Sequence, residues 1–435
     1  MRPDRPNMPT SSNHGIVRLP RAMAVPLLLL LLPLAGCVDD HIAIDAQLAY
    51  HDGAFEQAEA ILRPEAKKTD QNYVLNNDRL GSAAIGAIDL STAESAFFNS
   101  YEVINSANVN DAGRALSAAI IGENNKIWKG EPFERAMCNY YLGLLYYMRH
   151  DYNNSRAAFE NAIFKLRDYG DPDHADQYTE FESDFTLAYL MLGKCYAQLN
   201  QPDKSQAMFD KAARIRPDME AVAAQLRQRS NMLLVVDWGW CPRKITTVDH
   251  AFAGYYPRPE ETGPIPIPYV QVDGYAAPLS GPSYPTIDLV ALAQDHKWQD
   301  IDTIRAVKSV AGKALMGVGA YEGLRGAGAF GNHYNGGNLA AGLAMIAAGA
   351  LIDASSQADL RQWEMLPRTT FLIPMQLTPG AHDVTVTFAT GETLTWHGLI
   401  APHRGEETYY YRMLAFGPPD RTWPPAPPAP PGVTE

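Results

Sequence analysis

One spacing recurs three times in the first half of the chain and constrains its fold more than any other feature. Leu80-Gly81 is followed by Asp89-Leu90, Ala93, Phe97 and Ser100. Leu142-Gly143 is followed by Tyr146, Asp151-Tyr152, Ser155, Phe159 and Ala162, and Leu192-Gly193 by Tyr196, Pro202, Ser205, Phe209, Ala212 and Pro217. A weaker copy precedes them over residues 42–64, with Gly53, Phe55, Ala58 and Leu62. Small residues let paired helices approach closely, and the aromatic of each copy fills the gap to its neighbour. One such pair cannot bury its own apolar face, so several must stack. The copies are not tandem, and the long stretches between them predict an array interrupted by loops.

The pattern resembles the tetratricopeptide repeat, with Leu-Gly and Tyr on a first helix and a small–aromatic–small series on the second. The resemblance implies a concave groove lined by the first helices. Its lining would be Met137, Tyr140, Leu144, Tyr147 and Met148 from the third copy, and Leu187, Leu190 and Lys194 from the fourth. Methionine and tyrosine offer adaptable contact area, which suits an apolar or amphipathic peptide. Two outcomes stay open: the groove takes a partner, or other parts of the chain cover these side chains.

The amino terminus carries an address. Arg18 and Arg21 precede an apolar run from Ala22 to Pro33, and Leu34-Ala35-Gly36-Cys37 closes it. A basic region, a short apolar core and small residues before a cut read as a secretory signal, too short to span a bilayer. The last four residues resemble the bacterial lipobox, which implies cleavage before Cys37 and acylation of that cysteine. Several acyl chains would then hold the protein on a membrane. A chain starting at Cys37 has 32 basic against 48 acidic side chains. That balance gives no footprint for nucleic acid, and no polybasic patch for anionic lipid.

Lys129 to Arg135, with Ala136 to Tyr147 and Ala358 to Pro367 downstream, resembles a family of Gram-negative tetratricopeptide-repeat lipoproteins. The resemblance implies lipid anchoring at the periplasmic face of the outer membrane. Val38 stands where an aspartate would favour the inner membrane. Partners implied are other envelope proteins or peptides and the bilayer.

The second half reads as β-rich. Met232 to Trp240 is an apolar strand candidate, and a proline-rich stretch with Ile265, Ile267, Tyr269, Val270 and Val272 suggests edge strands. Period-two alternation marks four more strands, through Phe371/Ile373/Met375, Val384/Val386/Phe388, Leu394/Trp396/Gly398 and Tyr409/Tyr411/Met413. Thr390-Gly391-Glu392 is the expected hairpin turn. Between these regions, residues 287–363 are expected to form a helical insertion, and its glycine- and alanine-rich part, 312–352, suits close helix packing or self-association. Asp359 and Arg361 before Trp363 read as a structural clasp. The proline-rich tail, 418–435, is expected to be extended and coreless.

No nucleophile elbow, phosphate loop, zinc-protease motif or dinucleotide fingerprint occurs, so neither an enzyme nor a cofactor site is expected beyond the lipid on Cys37. Cys138, Cys195 and Cys241 remain after lipidation, and the first two read as small buried hydrophobes. His382-Asp383 are strand neighbours pointing to opposite faces, so they cannot act together. The expected architecture is α+β. It comprises a signal peptide (1–36), a helical repeat array (37–228), a β-rich domain with the helical insertion (229–417) and the tail. The expected role is a membrane-anchored interaction scaffold or assembly factor. The alternative is an oligomerising pore or translocation component that uses segment 312–352.

Overall fold

The computed structural model describes residues 40–105, 127–166, 185–246, 253–294 and 360–425. Residues 1–43 and 44–435 form separate units; of the first, only the opening turn of a helix is described. Cys37, the glycine-rich segment 312–352, Asp359 and the end of the tail lie outside the described residues.

The larger unit is α+β, with helices first and sheets after. Its helices are α1 (Asp40–His51), α2 (Phe55–Glu65), α3 (Tyr73–Ala87), α4 (Leu90–Asn105), α5 (Pro132–Met148), α6 (Tyr152–Phe164), α7 (Thr186–Gln198), α8 (Pro202–Ile215) and α9 (Met219–Leu226). The first eight make four hairpins with one turn geometry. Each first helix ends in a left-handed residue: Gly53, Ile88, His150 or Asn200. The next N–H then reaches back to a carbonyl five residues earlier, Ala54 to Ala49, Asp89 to Ala84, Asp151 to Tyr146 and Gln201 to Tyr196, at 2.8–2.9 Å. These bonds satisfy carbonyls the helix end would otherwise orphan.

Inside three hairpins the glycine of the first helix takes the aromatic ring of the second. A methyl group at Gly143 would stand 2.8 Å from Phe159, and one at Gly193 would stand 2.6 Å from Phe209. Gly81 meets Phe97 in the same way. Ser155 Oγ donates to the Gly143 carbonyl at 2.8 Å, and Ser205 Oγ to that of Gly193 at 2.7 Å. The serine and the missing side chain together set how closely the helices approach. At α5, Pro132 takes the first turn and the Glu131 N–H donates to Glu134 Oε2 at 2.7 Å, as the sequence predicts for a helix start.

The strands are β1 (Met232–Trp238), β2 (Arg243–Thr246), β3 (Ala253–Tyr256), β4 (Tyr269–Val272), β5 (Tyr275–Ala276), β6 (Thr369–Met375), β7 (Gly380–Thr387), β8 (Thr393–Ala401), β9 (Glu407–Met413) and β10 (Asp420–Thr422). One sheet runs β6-β1-β9, with β1 antiparallel to β6 and parallel to β9. A second runs β10-β8-β7-β4-β5, and β2-β3 form a ribbon.

Strand β1 shows why these parts form layers. Met232, Leu234, Val236 and Trp238 pack with Val384, Val386, Leu394 and Trp396 of the five-stranded sheet and with Phe388 just after β7. Leu233 and Val235 point the other way, into one core with the helices, Leu372 and Tyr410. Every residue of β1 and β6 is therefore buried, and the three-stranded sheet is a middle layer covered on both faces.

Three expectations are corrected. The boundary at 228/229 does not separate two cores, because one apolar cluster runs from Ala46 to Leu414 and joins helices to sheet. Residues 360–368 are irregular and not the closing turn of a helix, and of the expected helical insertion only α10 (Leu289–Gln294) is described. The tail does not lose its structure at 418. Asp420–Thr422 pairs parallel with β8, Arg421 lies 4.9 Å over the Trp396 ring, and Trp423 packs edge-on against Tyr409 at 5.0 Å.

The hairpin geometry gives a direct test. Gly143→Ala and Gly193→Ala each push a methyl into a buried phenyl ring and should cost about 1–3 kcal/mol by denaturant midpoint. Gly263→Ala, with nothing within 4 Å of the added methyl, should change it little.

Candidate functional site

The side chains expected to line an open groove are placed on α5 and α7 as the spacing predicts, but the groove is closed. Met137, Tyr140, Leu144, Tyr147, Leu187, Leu190 and Lys194 are all buried, and Met148 is half-buried. The chain's own second half fills the space, through Leu233, Val235, Trp240, Trp363, Leu366, Leu372 and Tyr410. The physical reason is the second apolar face of the β1 layer, which has no other cover. Self-burial is the outcome observed.

Where helices meet sheet, the buried charged groups of β1 and β9 are matched. Asp237, the one acid in β1, faces the helices and accepts from Tyr141 Oη at 2.6 Å, Tyr410 Oη at 2.8 Å and the Thr370 hydroxyl. Burial raises its carboxyl above the usual range, and these donors pull it back. Arg412 follows on β9. It donates to the Gly239 carbonyl at 2.7 Å and to Tyr50 Oη at 3.0 Å, and its guanidinium lies 4.9 Å over the Trp240 ring.

At the other end of β9, Lys194 Nζ meets Glu406 Oε2 at 2.7 Å, with both side chains buried. Tyr147 Oη donates to the same carboxylate at 3.1 Å, and Ser230 also bonds it. Lys194, Glu406 and Ser230 floor a recess of about 450 Å³ whose walls include Gln198, Asn200, Gln206, Arg227, Gln228 and Arg229. That volume lies in the range of small-ligand or side-chain sites. Amides and guanidinium groups line it, and its one buried cation and one buried anion neutralise each other. It can offer hydrogen bonds to a polar segment. Ser230 donates its hydroxyl to the Glu406 carboxylate, whose charge Lys194 already offsets.

A second buried cluster holds the stretch after the insertion. Trp363 donates its indole N–H to Ser82 Oγ at 2.8 Å and its backbone N–H to Glu134 Oε1 at 2.6 Å. Glu364 pairs with Arg79 at 2.8 Å, and Arg361 reaches the Gln71 carbonyl at 3.0 Å. Of the expected pair of Asp359 with Arg361, Asp359 falls outside the described residues; Trp363 and Glu364 are held instead by Ser82 and Arg79 of α3 and Glu134 of α5. Burial pushes Glu134 up to about 7, against the pull of Lys244 and its two backbone donors. Nearby Asp78 is pushed up to about 8 by burial, which outweighs Ser100 and Cys138 beside it.

Cys138, Cys195 and Cys241 are free and buried. His382 pairs with Asp273 at 2.7 Å, while its neighbour Asp383 pairs with His397 at 2.9 Å, so the adjacent His-Asp do not act together. Among the described residues no group of three or more His, Cys, Asp or Glu is placed to hold a metal ion. Sequence reasoning passed over Asp237, Glu406 and Arg412. The available signals were a lone acid closing Leu233-Leu234-Val235-Val236 and a lone arginine after three tyrosines.

Two measurements check these assignments. Asp78 and Glu134 keep their protons in the folded state at pH values where an unfolded chain has released them. Their contribution is complete below the ordinary carboxylate range and is lost as pH rises through the folded values. Melting temperature should therefore fall from about pH 5 to about pH 8, and Asp78→Asn with Glu134→Gln should flatten the decline. Separately, Lys194→Met leaves Glu406 buried and unpaired and should cost about 3–5 kcal/mol, and adding Glu406→Gln should recover part of the loss.

In comparisons with known proteins, no family model and no curated protein matches this chain.

Proposed function

We propose that the chain is a lipid-anchored scaffold of the Gram-negative cell envelope, built on a tetratricopeptide-like array and held by Cys37 at the periplasmic face of the outer membrane. The observation that carries the reading is the repeated hairpin. Four turns share one backbone geometry, and three of those hairpins also share the glycine–phenylalanine contact. Such arrays are stacking devices whose function lies in the surfaces they present.

The side chains expected to line a groove are buried in a core shared with the chain's own sheet, so this reading assigns partner binding to what remains open. The recess floored by Lys194 and Glu406 lies where the last hairpin, α9 and the start of β9 meet. Its amide and guanidinium walls suit the polar backbone or acidic side chains of an envelope protein or peptide.

Cys37 is tested in the native organism. Wild-type protein should carry acyl chains by mass spectrometry and should fractionate with the outer membrane. Cys37→Ala should abolish both; equal membrane retention of the variant would sink the anchor reading. For the recess, cross-linkers placed at Gln206 or Arg229 should capture a defined partner that a linker at Thr387, on the five-stranded sheet, does not.

A further inference from the structure

Helix α1 leaves apolar side chains uncovered on one stripe. Ile44 is 47% exposed and Leu48 is 58% exposed. They stand four residues apart on the same helical face, and His51 continues that line three residues later. The His51 ring carries the stripe onward, because Phe416 packs against it at 5.3 Å and is itself 68% exposed. The imidazole also stacks on Trp240 at 5.2 Å and 10°.

Phe416 is not a stray loop residue. The chain just after it is pressed onto the α1–α2 turn, where Gly53 sits at φ +72° and an added methyl would lie 2.6 Å from Gly417 Cα. The loop is thus fixed against α1, and three apolar side chains from two distant parts of the sequence point to solvent together.

We propose that this stripe, Ile44, Leu48 and Phe416, is a membrane-seating surface that lies in the headgroup region of the bilayer to which the chain is tethered. The inference rests on the reading of Cys37 as the lipid-bearing residue. Its argument is reach: Ile44 lies seven positions after Cys37, a span of about 25 Å at most. The stripe therefore never leaves the neighbourhood of the surface the acyl chains enter. Asp45 and Asp52 are exposed beside it, so a zwitterionic surface fits better than an anionic one. Amphipathic helices with exposed aliphatic and aromatic side chains seat about 5–10 Å into the headgroup boundary.

The consequence is an orientation. Trp240, which His51 stacks on, follows the Trp238 end of β1, while Ser230 and Glu406 flank the opposite end, where Met232 pairs with Glu407. With the stripe on the membrane, the recess sits at the end of β1 opposite the His51–Trp240 contact.

The test uses acylated, full-length protein in phosphatidylcholine vesicles, with a nitroxide at Leu48→Cys, at Phe416→Cys or, as reference, at Arg404→Cys, which is exposed between β8 and β9. The three native cysteines beyond Cys37 are buried and resist labelling in the folded protein. Labels at 48 and 416 should lose access to a water-soluble nickel chelate and gain access to oxygen, while the label at 404 keeps its nickel access. Equal nickel access at all three sites, with the acyl mass confirmed, would overturn the seating surface and leave the anchor intact. Spin–spin broadening at 48 in acylated protein would also overturn it, by showing a second copy on the stripe. A protein lacking the acyl mass removes the anchor and the seating surface together.

Discussion

The structure depends on a sheet that cannot face water on either side. Strand β1 alternates apolar groups toward both faces, and β6 and β9 flank it with residues that are buried almost throughout. A three-stranded sheet of this kind is stable only as a filling between two covers. The five-stranded sheet supplies one and the helical hairpins the other. Each cover follows from the same seven residues, because side chains in a strand alternate with period two.

That dependence explains what was legible in the sequence. The hairpins were legible because their signal is local: a glycine and an aromatic at fixed separation within one pair, and a turn residue between them. The strands were legible because alternation at Val384/Val386 or Tyr409/Tyr411 is local too. Closure of the groove was not legible, since Tyr140 or Leu190 reads the same whether a foreign peptide or the chain's own Leu233 lies against it. The carboxylates escaped for the same reason. Asp237 looks like an interruption in an apolar run until Tyr141, Tyr410 and Thr370 arrive from elsewhere in the chain. Glu406 belongs to an unremarkable polar stretch, and only folding sets it against Lys194, 212 positions earlier.

These buried polar groups do more than decorate the seam. A purely apolar contact between an array and a sheet would tolerate sliding, because apolar packing is not directional. Asp237 accepting three hydroxyl donors, and Glu406 meeting Lys194, Tyr147 and Ser230, can be satisfied in one register only. Misplacing the sheet would strand a charge in the core, at a cost of several kcal/mol.

The order of the chain adds a consequence in time. The helical hairpins are complete by Ile215, whereas β1 finds its partners only at Thr369–Met375 and Glu407–Met413. Local contacts form quickly and distant strand pairings slowly. The apolar face of the array is thus formed well before the middle sheet exists to cover it. Until those pairings form, no strand of the second half covers Tyr140, Leu144, Leu187 and Leu190, and uncovered apolar surface of this kind draws aggregation or chaperones.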